Sequence, residues 1–98
     1  MSQESLHAIL FFVRVAEAKS FTKAAKRLGI SASGVSKSLT RLEERLGVRL
    51  MNRTTRSVSL TDDGATFFER CRQILGELED AETAVARGQT KPRGRPSI

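Results

Sequence analysis

The sequence predicts a mainly α fold: three helices, a short two-stranded β ribbon and one long closing helix. Three observations predict it. Apolar residues recur at three- and four-residue steps through residues 4–46, punctuated by small polar caps and by Gly29 and Gly47. Residues 48–60 switch to alternation around a polar, basic centre. An apolar stripe then resumes at 61 and runs without a proline to about residue 86. Two helices meeting at a glycine and followed by a ribbon make a winged helix-turn-helix, and the closing helix extends beyond it.

The first helix is expected from about Glu4 to Ala18, where Ile9, Phe12, Val13 and Ala16 share one face and Leu6 extends it. Ser20 caps a second helix, 22–28, that turns Phe21, Ala24, Ala25 and Leu28 inward. The two alanines allow a close helix crossing. Gly29 stands where a helix C-terminus favours a left-handed residue, and Ile30 is expected to plug the corner. Ser31 caps the third helix, 32–46, with Val35, Leu39, Leu42 and Leu46 as its buried stripe. Its opposite face carries Ser33, Ser36, Lys37, Thr40 and Arg41.

In the ribbon, Leu50 and Met51 begin one strand, Val58 and Leu60 mark the other, and residues 53–57 form a basic polar loop. Two strands are marginal alone, so they must pack on the helices. Thr61-Asp62-Asp63 opens the last helix with a cap and two carboxylates at the positive end of its dipole. At 1.5 Å per residue it spans ~38 Å. Its stripe comprises Ala65, Phe68, Cys71, Leu75, Leu78 and Val85, broadened by Phe67, Ile74 and Ala81 and interrupted by Glu82. The far half outruns a three-helix core. A second copy is expected to cover it, with Phe68, Cys71, Leu75, Leu78 and Val85 at the interface; the alternative cover is a further domain. The organisation is thus a winged helix-turn-helix over 1–60, a linker or dimerisation helix over 61–87 and a flexible basic hinge over 88–98.

The net charge of +6 is unevenly placed: −1 over residues 1–18, +8 over 19–56, −5 over 57–86 and +4 over 87–98. The positive field coincides with the helix-turn-helix and ribbon, which favours a polyanion partner over a merely solvated basic surface. Gly34 then permits close approach of either DNA or a neighbouring helix. One cysteine excludes an internal disulfide and suits a reducing, cytoplasmic setting. No apolar run nears the roughly 20 residues of a membrane span, and no signal peptide is evident. Neither a metal-ligand spacing nor a nucleophile–base pair is present, so an enzyme is not expected. His7 is expected at the surface or in a dimer contact.

Four blocks, in order and spacing, carry a family resemblance. They are Phe12-Val13 to Ser20-Phe21-Thr22 with Ala24-Ala25 and Leu28; Ser31 to Ser36 with Leu39, Leu42-Glu43 and Leu46-Gly47; Leu50 to Asn52-Arg53 with Arg56; and Leu60-Thr61 with Gly64. Over about residues 5–87 the chain resembles the N-terminal DNA-binding region of LysR-type transcriptional regulators. The resemblance implies a dimer on double-stranded DNA, with tetramers possible in a longer protein. It also implies a fragment lacking the domain that binds a small-molecule effector; no cofactor is expected in this portion. In the family the third helix usually opens Ser-Gln-Pro-Ala, and here it opens Ser31-Ala32-Ser33-Gly34.

Expected roles follow. Ser33, Ser36 and Lys37 read base edges, and Ala32 touches a thymine methyl. Arg56 matches the family arginine that enters the minor groove, where it reads groove width. Thr22, Lys23, Ser31 and Arg41 contact phosphate, with Ser31 also capping its helix. Arg53 holds a phosphate or braces the wing. Lys26 and Arg27 fit a plain surface equally well. Lys91-Pro92-Arg93-Gly94-Arg95-Pro96 matches the core of an AT-hook, although the family's hinge has a similar composition. The leading expectation is a sequence-specific regulator on a pseudo-palindromic operator. The alternatives are a non-specific architectural DNA binder using wing and tail, and a protein-interaction module.

Overall fold

The structure, a computed structural model, describes residues 2–53 and 58–90. Helices α1 (Gln3–Ala18), α2 (Phe21–Leu28) and α3 (Ala32–Leu46) are followed by strands β1 (Met51–Arg53) and β2 (Val58–Leu60) and by helix α4 (Asp62–Thr90). The element order is the predicted one. Serine caps start the first three helices: Ser2, Ser20 and Ser31 Oγ accept from the backbone N–H of Ser5, Lys23 and Gly34 at 3.1, 3.1 and 3.0 Å. Such a cap contributes about 1 kcal/mol over alanine. Gly29 and Gly47 end α2 and α3 at φ 74°. Helix α1 ends without a glycine, on Lys19 at φ 56°, whose N–H donates to the Val15 carbonyl at 2.7 Å.

The three short helices pack mutually, and α1 also supports α4 and β2. The core holds Ala8, Phe12, Val13 and Val15 from α1, Ala24 and Ala25 from α2, and Val35, Leu39 and Leu42 from α3. Leu50, Met51 and Cys71 complete it. Phe12 meets Phe67 and Phe68 at ring-centroid distances of 5.5 and 6.4 Å, so the first turns of α4 close the core.

Three predicted core positions lie outside it. Leu6 is 55% exposed because the buried face of α1 runs through Ser5, Ala8, Phe12 and Val15. Ile9 and Ala16 form the half-buried edge of that face, and the line through Leu6 falls beyond it. Ile30 and Leu46 are also exposed, each at a helix end.

Strands β1 and β2 pair antiparallel with Met51 opposite Leu60 and Arg53 opposite Val58. The ribbon joins α4 through Thr61, whose N–H donates to the Leu50 carbonyl at 3.0 Å. Its hydroxyl donates to the Arg49 carbonyl at 2.6 Å and accepts from Gly64 N–H at 2.9 Å, which caps α4. This junction leaves no room for a side chain at Gly64, where a Cβ would lie 2.8 Å from the Leu50 carbonyl carbon and closer still to its oxygen. The obstacle is backbone, so nothing nearby can rotate away. Gly64→Ala is therefore expected to lower stability by about 3 kcal/mol, the upper end for overpacking; a urea midpoint matching the wild type would show that the junction is looser than described.

Helix α4 has 29 residues and spans about 43 Å. It runs past the expected end near residue 86, because a lone glycine such as Gly88 weakens a helix without stopping it. Ala65 is exposed, which corrects its place in the stripe; the helix buries the side carrying Phe67, Phe68, Cys71 and Leu75. From Glu77 to Arg87 every residue is exposed. No helix among the described residues is long and apolar enough to cross a membrane.

Candidate nucleic-acid interface

Helix α3 presents Ser33, Lys37 and Arg41 to solvent on one side of its length. Ala32 is half-buried and packs on the core, which leaves a restricted methyl surface at the first turn. Gly34 approaches no neighbouring helix: the nearest atom to a Cβ built there is Ser31 Oγ, at 3.0 Å. Lys37 has no ion-pair partner among the described residues. Arg41 Nη1 pairs with Glu4 Oε1 of α1 at 3.1 Å, with both side chains largely exposed, so solvent screens the pair. Thr22 and Lys23 are exposed on the first turn of α2, beside the Ser20 cap.

Ser36 departs from expectation, because it is half-buried and its hydroxyl is engaged inside the protein. The group that engages it is Arg53. Arg53 Nη1 donates to Thr40 Oγ1 at 3.0 Å and to Ser36 Oγ at 3.4 Å, and Nη2 donates to Glu43 Oε1 at 3.0 Å. The guanidinium also lies 5.3 Å from the ring centroid of Phe21, the first residue of α2. Of the two predicted roles for Arg53, phosphate contact and wing brace, the geometry supports the brace. The side chain is bound on three sides and only 25% exposed. One guanidinium thus holds the start of α2, the middle of α3 and the strand that leads into the wing. Arg56, the expected minor-groove residue, lies outside the described residues.

The other half of the brace is Glu43, which belongs to the second family block above but was assigned no role of its own. Its carboxylate is buried in the joint between α3 and the ribbon. Oε2 accepts from the backbone N–H of Leu50 at 2.7 Å and of Met51 at 3.2 Å, while Oε1 faces Arg53. A signal was available: Glu43 lies four residues after Leu39 and one after Leu42, within the buried stripe, and a carboxylate there requires an internal partner.

The five residues expected at a dimer interface divide into two groups. Cys71 is 5% exposed in the single chain and belongs to its own core, a correction to its expected burial by a second copy. Burial pushes its thiol pKa up, which keeps it protonated. Phe68 and Leu75 are half-buried against the same core. Leu78 and Val85 are 57% and 60% exposed and, with Ile74, form an uncovered apolar line. His7 stacks on Phe11 at 6.2 Å. Among the described residues no group of three or more His, Cys, Asp or Glu could hold a metal ion.

The family described as bacterial regulatory helix-turn-helix proteins of the lysR family matches residues 6–65, the span that contains α2, α3, the ribbon and the Arg53–Glu43 brace. The chain belongs to the LysR family. Its LysR-family relatives include an HTH-type transcriptional repressor of Pseudomonas aeruginosa, 44% identical over 92 residues that make up 94% of this chain and 29% of the relative. The transcriptional regulator CrgA of Neisseria meningitidis is 47% identical over 87 residues, or 89% of this chain and 29% of its own length. Solved structures agree. The DNA-binding domain of BenM in complex with its catB site 1 DNA superposes with a TM-score of 0.79 at 33% identity, covering 86% of this chain and 93% of that one. CrgA superposes at 0.73 with 45% identity over 90% of this chain and 30% of CrgA. The chain therefore spans about 29% of the length of the full-length relatives it matches.

Proposed function

We propose that this LysR-family chain is the DNA-reading and dimerising portion of a sequence-specific transcription regulator. The observation that carries this reading is the face of α3 that exposes Ser33, Lys37 and Arg41, joined to a two-stranded wing by the Arg53–Glu43 brace. An α-helix presented in this way fits a major groove, while a wing beside it reaches the adjacent backbone or minor groove. The charge of +8 over residues 19–56 supplies the non-specific attraction. Ser33, Ser36 and Lys37 read base edges, with Ala32 against a thymine methyl. Thr22, Lys23 and the Ser31 helix terminus hold phosphate, and Arg41 does so when DNA replaces Glu4 as its counter-ion. Arg56 enters the minor groove.

A second copy covers Ile74, Leu78 and Val85 on α4 and sets two reading helices on the two halves of a pseudo-palindrome. Small-molecule response is assigned to the length of the relatives that this chain does not span. Lys37→Ala is expected to weaken operator binding about ten-fold, with a much smaller effect on random DNA. Arg56→Ala is expected to flatten the preference for A·T-rich flanks. Titrations on operator, flank-substituted and random duplexes at one salt concentration check both. Equal losses on all three would remove the assigned reading roles.

A further inference from the structure

Arg53 does more than join the wing to α3, because it also donates to Ser36 and so biases the hydrogen-bonding character of that hydroxyl. A serine hydroxyl has one proton to donate and two acceptor lone pairs, whereas an arginine guanidinium only donates. The bond from Arg53 Nη1 to Ser36 Oγ, at 3.4 Å, therefore uses one lone pair and leaves the serine proton and the second lone pair unspent. Thr40, one turn on, shows the opposite state. Its hydroxyl donates to the Ser36 carbonyl at 3.0 Å and accepts from Arg53 at 3.0 Å, so its proton is consumed. Ser36 makes no comparable bond back to its own helix among the described residues. Its neighbours one turn back and one residue on, Ser33 and Lys37, are exposed on the reading face.

We propose that Arg53 is a positioning residue that biases Ser36 toward donating to the DNA, because the adjacent cation polarises the hydroxyl and takes one of its two lone pairs, so that Ser36 favours a base with a major-groove acceptor over the amino edge of cytosine. The acceptors are guanine O6 and N7, adenine N7 and thymine O4. The proposal rests on the DNA-reading role given above. It adds that a residue with no contact to the bases sets the specificity of one that has such a contact.

The test compares the wild-type chain, Ser36→Ala, Arg53→Lys and the double variant by selection from random DNA. Lysine keeps the charge of Arg53 but loses the fork that reaches Ser36, Thr40 and Glu43 together. Both single variants are expected to relax preference at the same base pair by about three- to ten-fold, the worth of one net hydrogen bond. The double variant is expected to relax it no further, and the position read by Lys37 should keep its preference. Because Arg53→Lys also loosens the wing, a second arm leaves the protein intact. A duplex whose base at that position lacks its major-groove acceptor should bind the wild type more weakly by the same factor and leave Ser36→Ala unaffected.

Selection of cytosine at that position would overturn the proposal. So would a Ser36→Ala variant that relaxes no position, the result expected if Ser36 touched only phosphate. An Arg53→Lys loss spread evenly over all positions would reduce Arg53 to a structural brace. If the wild type selects no sequence at all, the DNA-reading role itself fails. Selection by the wild type with Ser36 silent sinks only the present proposal.

Discussion

Glu43→Ala is expected to cost about 3–5 kcal/mol, the range for removing one partner of a buried ion pair. The substitution leaves the Arg53 guanidinium inside the α3–ribbon joint without its counter-charge. It also strips the acceptor from the Leu50 and Met51 amides, both in the core. Unlike the screened pairs of the surface, this one is enclosed: the Glu43 side chain is 8% exposed. The Arg49 approach at 3.9 Å adds nothing of note, since that side chain is largely in solvent. A domain of this size has a total stability near the lower end of roughly 5–15 kcal/mol, so the variant should be largely unfolded at 37 °C. Glu43→Gln retains an acceptor for the two amides and should fall between alanine and wild type. Urea unfolding followed by circular dichroism reads all three; a Glu43→Ala midpoint close to the wild type would show that the joint is held by packing alone.

The second large effect concerns assembly. Leu78→Asp should leave the folded monomer nearly untouched, within about 0.5 kcal/mol, because the residue is mostly exposed in the single chain. In a dimer the same carboxylate would be driven into an apolar contact without a partner. Sedimentation should therefore shift from dimer to monomer. Operator affinity should fall on the order of 100-fold as the linked second half-site is lost, with the melting of the helix-turn-helix preserved. Unchanged sedimentation would place the interface elsewhere on α4. Cys71→Ser is a useful contrast: its side chain sits in the monomer's core, so it should affect folding and leave the oligomeric state of the folded fraction alone.

The order and type of all six elements were legible in the sequence because local signals agreed with one another. Serine caps, the glycines at 29 and 47 and the change from helical to alternating periodicity each marked a boundary that the structure keeps. Three features were less legible. The end of α1 rests on Lys19 in a left-handed conformation, and a lysine carries no such signal. Periodicity gives the direction of a buried face only to within about one residue, which is why Leu6 was placed inside and Ser5 was not. The brace was half legible: bracing the wing was one of the two roles expected of Arg53, but its partner Glu43 lies ten residues away in another element, and charge counting does not pair the two. In the reading face, Ser33 and Lys37 lie where helical geometry put them. Ser36 sits on the expected side of α3, yet its engagement by Arg53 is a tertiary fact.

The most direct test of the whole account is selection of bound duplexes from random DNA by the wild-type chain, at a stated salt concentration. A dimeric reader should yield a dyad-symmetric consensus with half-sites one helical turn, or a multiple of it, apart. Its affinity for that consensus should be at least ~10³-fold above that for random duplex. A pool that never enriches, with equal affinity for every duplex at matched salt, would contradict it and leave a non-specific binder.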